Sequence, residues 1–283
     1  MTLEPIDLHH QGADRIIASY VLETDDGLAL FDCGPSTTIT ALEAGLADQG
    51  LTLSEIKHLL LSHIHLDHAG AAGTLVRAHP HLQVHVSAIG APHLVDPSRL
   101  ERSARRLYGD TFDVLWGELA PVPEQNVHVV GERVLGLDCF PTPGHASHHV
   151  CYLDRDGTLF AGDAAGVRIT PGSYVMPPTP PPELDVEAWD ETIATLEERA
   201  PEPLALIHFG VFEDAQRHLA DLRLELYDWA DFVRGGALEE EFMSYVRAEL
   251  ENAGEDVSHY DIAMPLWQSY RGLERWAGKQ ARA

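Results

Sequence analysis

Ser62-His63-Ile64-His65-Leu66-Asp67-His68-Ala69-Gly70 is the stretch on which the reading of this chain turns. It follows Lys57–Leu61, a short apolar run of strand length. Beyond a strand end, residues two apart point the same way, so His63 and His65 converge on one point. Asp67 and His68 stand where the loop becomes a helix and face a second point nearby. Neutral imidazole and carboxylate suit zinc, and also iron or manganese. A purely structural cluster would bury several polar rings together without partners, which is costly. A metal site is therefore expected.

Working outward, Arg15–Leu22 and Leu28–Phe31 flank the turn signal Asp25-Asp26-Gly27 and read as a hairpin. Ser36 or Thr37 is expected to cap a helix that runs to about Gln49. Strand, loop and helix repeat at Gln83–Val86, which indicates a layered α/β fold. Val127–Val130, Leu137–Phe140, His149–Leu153 and Thr158–Phe160 are further strand candidates. Val186–Arg199 reads as a helix leading to the strand Leu204–Ile207.

Three segments are less regular. Pro97–Tyr108 is a basic helix carrying Arg99, Arg102, Arg105 and Arg106. It reads either as a solvated face or as a lid that brings positive charge to a cleft. Residues 171–182 are proline-rich, stiff and extended. After Glu213 the chain is helical, with Ala215, Leu219, Leu222, Leu226 and Trp229 on one packed stripe. Gly235-Gly236 ends that helix, and Leu238–Leu250 and Ile262–Trp276 form two more. The expected division is a main domain over 1–212 and a helical extension over 213–283, a candidate lid or homodimer contact.

Three later positions complete the metal constellation. His145 lies in Thr142-Pro143-Gly144-His145, Asp163 in Phe160-Ala161-Gly162-Asp163, and His208 directly after Leu204–Ile207. Each follows the C-terminal end of an apolar strand, where α/β architectures place their sites.

With these pieces in this order, the chain resembles the metallo-β-lactamase superfamily over roughly Ile16–Gly210. Leu30-Phe31-Asp32-Cys33-Gly34 matches that family's early strand-plus-aspartate signature. The resemblance implies a four-layer αββα sandwich with a C-terminal helical extension. It implies that His63, His65 and His145 hold a first metal, that Asp67, His68 and His208 hold a second, and that Asp163 bridges them. This is the glyoxalase II type of site. True β-lactamases of the family lack the bridging aspartate, and the flavodiiron branch has glutamate where His65 stands. Two divalent ions are implied, zinc foremost, with iron or manganese as alternatives. The implied reaction is attack by a metal-bound hydroxide on a small ester, thioester or lactone, with Asp67 and Asp163 as its catalytic carboxylates. Alternatives are a mononuclear-iron oxidoreductase of the persulfide dioxygenase type and a phosphodiesterase. Lactone-cleaving members carry a tyrosine three residues after the bridging aspartate, where this chain has Gly166. The acidic tail does not match the basic residues that bind glutathione in glyoxalase II.

Candidates around the ligands are Asp32, His148, Arg168 and Tyr174. Asp32 reads either as a turn residue or as the partner that orients a ligand histidine. His148 reads either as a surface histidine or as a residue facing the cleft. Arg168 and Tyr174 are candidates for touching a substrate carboxylate or carbonyl. The net charge of −26 disfavours phosphate backbones and anionic membranes, so the expected partner is a small molecule, with no nucleic acid and no membrane. Cys33, Cys139 and Cys151 lack metal-type spacing and read as buried thiols. The opening residues show no secretory pattern, so a cytoplasmic location is expected.

Overall fold

The computed structural model describes residues 3–280. The outermost positions of both expected segments, 1–2 and 281–283, lie outside the described residues.

One six-stranded sheet runs in chain order through β1 (Ile6–Asp7), β2 (Ala18–Thr24), β3 (Gly27–Phe31), β4 (Ile56–Leu60), β5 (Gln83–Val86) and β6 (Val127–Val129). The expected hairpin is β2–β3, with Tyr20 opposite Phe31 and Thr24 opposite Gly27. From β3 to β6 the strands are parallel. Parallel neighbours need crossovers, and helices supply them. They are α1 (Ile39–Asp48) after β3, then α2 (Leu66–Ala69) and α3 (Ala72–Ala78) after β4. After β5 come α4 (Ala91–Val95), α5 (Ser98–Tyr108) and α6 (Phe112–Leu115).

The second sheet contains β7 (Arg133–Val134), β8 (Leu137–Pro141), β9 (Val150–Leu153), β10 (Leu159–Phe160), β11 (Leu204–Leu206) and β12 (Gly210–Phe212). Its order is β12-β11-β10-β9-β8-β7, antiparallel except where β10 pairs with β11. α7 (Val186–Arg199) precedes β11. The tail comprises α8 (Ala215–Arg234), α9 (Glu239–Asn252), α10 (Val257–Ala263) and α11 (Leu266–Gln280).

The sheets meet through aromatic rings. Phe31 packs against Tyr152 and Phe160, with centroids 6.0 and 5.3 Å apart. The Tyr20 hydroxyl crosses the interface to donate to the Leu206 carbonyl at 2.7 Å, and Tyr152 donates to Leu61 at 3.0 Å. Helices outside the two sheets complete an αββα sandwich. One continuous apolar core runs from Ile6 to Trp276 and includes Leu222, Leu226 and Trp229 of the expected stripe. α7 packs on α8, and α8 packs on α11.

Two local expectations fail for physical reasons. α1 begins at Ile39 after a 3-10 turn, with no side-chain cap. Ser36 and Thr37 instead donate to the carbonyls of Trp116 and Leu115, a long-range partner choice that local capping rules cannot foresee. Ile262–Trp276 is not one helix, because Pro265 has no N–H to give and separates α10 from α11. All three cysteines are buried and free. No helix among the described residues is long and apolar enough to cross a membrane.

Phe31 is fully buried between the sheets. Its replacement by alanine leaves a cavity where three rings meet, and Phe31→Ala is expected to cost about 3–5 kcal/mol of unfolding free energy in denaturant titrations.

Candidate metal centre

Asp32 organises the centre. It leaves β3 in a left-handed conformation (φ 49°), which turns its carboxylate back under the next strand. There it accepts from the Ser62 backbone N–H at 2.8 Å, the Ser62 hydroxyl at 2.7 Å and His68 Nδ1–H at 2.8 Å. Asp32 thus makes the contact to His68 that its orienting reading requires. A histidine whose Nδ1 is engaged presents Nε2 to a metal. The same logic recurs at His145, where Nδ1 lies 2.8 Å from the Pro178 carbonyl, and at His208, where Nδ1 lies 2.7 Å from the Ile16 carbonyl. Ser62 Oγ lies 3.0 Å from His63 Nδ1.

The ligand atoms gather into two groups, each lying within 4.8 Å of one another: His63, His65, His145 and Asp163, and then Asp67, His68 and His208. Asp163 faces both. Its Oδ2 is 3.2 Å from His145 Nε2, and its Oδ1 is 3.2 Å from His68 Nε2 and 3.7 Å from His208 Nε2. Asp67 Oδ2 is 3.4 Å from His208 Nε2. Ligands about 2.0–2.1 Å from a tetrahedral zinc lie roughly 3.3–3.4 Å apart, close to these separations. The buried Nε2 atoms of His63, His68 and His208 and both Asp163 oxygens have no hydrogen-bond partner. Five buried polar atoms aimed at one another in this way fit a cation-binding role.

The electrostatics agree. Burial pushes the Asp163 and Asp67 carboxyls up, yet neighbouring histidines outweigh it and hold both below the usual carboxylate range. Burial pushes His68 and His208 down, yet the carboxylates outweigh it and hold both above the usual imidazole range. His63 and His65 are driven well down by burial and by neighbouring rings, so they stand neutral and ready to ligate. The arrangement calls for positive charge between Asp67, Asp163 and the second histidine pair.

Comparison with known proteins agrees with this geometry. The sequence profile of the metallo-beta-lactamase superfamily matches residues 12–211. The chain belongs to that superfamily. It is 28% identical over 191 residues to metallo-beta-lactamase fold-containing protein ST1585 of Sulfurisphaera tokodaii, covering 63% of this chain and 71% of that one. The crystal structure of ST1585 superposes with a TM-score of 0.70 at 23% identity, covering 96% and 97% of the two chains, so the helical tail belongs to the shared fold. TTHA1623 in a di-iron-bound form is 27% identical with a TM-score of 0.54, covering 72% and 91%. An atrochrysone carboxyl ACP thioesterase of Aspergillus terreus is 28% identical over 153 residues, covering 51% of this chain and 37% of its own.

The remaining candidates of this metallo-beta-lactamase superfamily member divide. His148 is buried rather than superficial: its ring stacks on His63 at 5.8 Å, and it lines a cavity of about 640 Å³ together with His65 and Asp67. Burial lowers its pKa to about 4, so it is neutral. Arg168 and Tyr174 do not join the site. The Arg168 guanidinium pairs with Asp214 at 2.7 Å and lies over the Phe212 ring, while the Tyr174 hydroxyl donates to Glu225 at 2.8 Å. The basic residue and the tyrosine near Asp163 in sequence thus serve the tail.

Two side chains, those of His149 and Trp189, carried no sequence signal of their own. His149 Nε2 accepts from the Asp163 backbone N–H at 3.1 Å, while its Nδ1 meets the Thr142 hydroxyl at 2.7 Å. This fixes the turn that presents Asp163. Gly162 makes it possible: its φ is +51°, and a Cβ there would lie 2.6 Å from His149 Nε2. Trp189 also donates to the Ala164 carbonyl at 2.9 Å and lays its ring against His145. Only the adjacency of His149 to Val150–Leu153, at the same strand end as His145, hints at its role.

Asp32→Asn keeps the shape but withdraws the charge that orients His68. Zinc affinity, measured by competition with a chromophoric chelator, is expected to fall about 10- to 100-fold while the far-ultraviolet circular dichroism stays unchanged.

Proposed function

We propose that this chain is a metal-dependent hydrolase that cleaves a small ester or thioester at two divalent cations. The observation that carries the reading is Asp163, whose two oxygens face two separate histidine groups. Asp67, 13% exposed, connects that buried cluster to the cavity. When bound, the cations supply Lewis acidity, polarising a carbonyl and making water acidic enough to ionise near neutral pH.

The protein residues divide the remaining work. Asp163 is closed off from solvent and holds the two groups in register. Asp67 sits on the cavity wall beside His65, placed to take a proton from the attacking water and deliver it to the leaving group. His148, neutral and stacked on His63, forms the wall next to these groups. Leu66, Ile89, Leu100, Leu107 and Met264 give the cavity apolar walls, which suits an acyl group and excludes competing water. One relative, the atrochrysone carboxyl ACP thioesterase, supports this reaction class. Gly166 in place of the tyrosine of lactone-cleaving members turns the reading from lactones towards open-chain esters and thioesters. Zinc suits the donor set, and the di-iron form of TTHA1623 supports assaying iron beside it.

Elemental analysis of the purified protein is expected to find close to two metal ions per chain, with turnover across an ester and thioester panel. A single iron with oxygen consumption, or cleavage confined to phosphodiesters, would overturn the reading.

His63→Ala and Asp163→Ala are each expected to lower turnover by more than about 10³-fold, since each removes a ligand rather than adjusting one. Either variant retaining both its metal and its rate would refute the assigned ligand set.

A further inference from the structure

The cavity beside the metal centre has one wall made by α5, and that helix is unusual in its charge. None of its residues is buried. Residues Arg99, Ser103 and Arg106, with Leu100, Ala104 and Leu107, fall on one face and line the cavity. Arg99 and Arg106 are seven residues apart, two helical turns, which separates their backbones by roughly 10 Å along the same face. Arg102 and Arg105 point elsewhere. Arg105 is engaged by Glu101 and Asp113.

Elsewhere in the molecule, arginines are taken up. Arg77, Arg133, Arg155, Arg168, Arg217, Arg223, Arg234, Arg247 and Arg271 each pair with a carboxylate. Arg15 and Arg275 donate to backbone carbonyls, and Arg199 lies over the Phe140 ring. Among the described residues, the arginines with no hydrogen bond, ion pair or ring are Arg99, Arg102 and Arg106, all on α5. The chain holds 45 acidic residues against 19 basic ones, so an unpaired arginine is the exception here. Two of the three stand on the wall of the cavity that reaches Asp67. Glu183, which also lines the cavity, is held by the Ser147 hydroxyl and backbone N–H at 2.6 and 3.1 Å and pairs with neither arginine.

We infer that Arg99 and Arg106 form an anion-binding wall, and that the substrate is an acyl thioester or ester bearing a carboxylate or phosphate away from the reacting carbonyl. The apolar residues beside them take the acyl chain, and the guanidinium groups take the anion. A guanidinium binds either group through two parallel hydrogen bonds, so the chemistry is shared by both sources. Positive charge at this one cleft also offsets the repulsion that a net charge of −26 exerts on an approaching anion. The inference rests on the hydrolase reading for the position of the reacting carbonyl, whereas the anion preference can be measured without turnover.

The test uses the metal-loaded full chain and octanoyl thioesters of three thiols: coenzyme A (phosphate), 3-mercaptopropanoate (carboxylate) and N-acetylcysteamine (neutral). The matching S-octyl thioethers, which cannot be hydrolysed, are titrated by calorimetry. At low ionic strength at least one anionic probe is expected to exceed the neutral one by about tenfold or more in kcat/KM and in affinity, and the preference is expected to shrink in high salt. The arm that shows it identifies the anion. Arg99→Gln with Arg106→Gln is expected to bring the ratio near one, while Arg102→Gln leaves it intact. Equal handling of all three probes, or a preference that survives the double substitution, overturns the inference. Arginine-dependent binding of the thioethers without cleavage of any thioester would uphold the anion wall and count against the hydrolase reading alone.

Discussion

The structure depends on a buried carboxylate that cannot stand alone. Asp163 is closed to solvent, lacks a hydrogen bond to either oxygen, and sits between two sets of imidazoles. An ionised carboxylate in such a place is tolerable only with compensating positive charge. Imidazoles gather on both sides of it. Asp32 turns His68 inward, the Pro178 carbonyl turns His145, and the Ile16 carbonyl turns His208. Because these anchors belong to different loops, the centre also ties the two sheets together at their strand ends.

The ligand cluster was readable because metal chemistry restricts residue type and spacing together. His63 to His68 occupy six consecutive positions, and their placement after a strand follows from local pattern alone. His145, Asp163 and His208 share the same strand-end signature. Asp32 was half readable: its position after β3 is a local fact, whereas its grip on Ser62 and His68 spans the sheet. His149 was missed because its partner, the Asp163 backbone N–H, is set by tertiary folding. The misplaced cap at Ser36 and Thr37 failed for the same reason, since carbonyls about 80 residues away accept from these hydroxyls and fix where they point. Arg168 and Tyr174 were drawn towards the centre by proximity in sequence, and the fold gave them to Asp214 and Glu225 instead.

The candidate metal centre and the cavity walls thus draw on different parts of the chain. The clustered histidines and aspartates come from strand ends, where geometry is rigid. The cavity walls come from α5, the proline-rich segment and the tail helices, through Leu107, Pro181 and Gln268. No residue-type constraint comparable to metal ligation acts on those walls, so no motif marks them. The proline-rich segment nevertheless reaches the centre directly, because Pro178 holds the His145 ring. A change in that segment is therefore felt at the His145 ring as well as at the cavity wall.

The succession of the ligands along the chain has a bearing on biosynthesis. A ribosome releases His63, His65, Asp67 and His68 early, His145 and Asp163 much later, and His208 last, with its anchor on Ile16 spanning 192 residues. Contacts of such long sequence separation form late. The cluster is therefore completed only when His208, directly after β11, has joined the earlier residues.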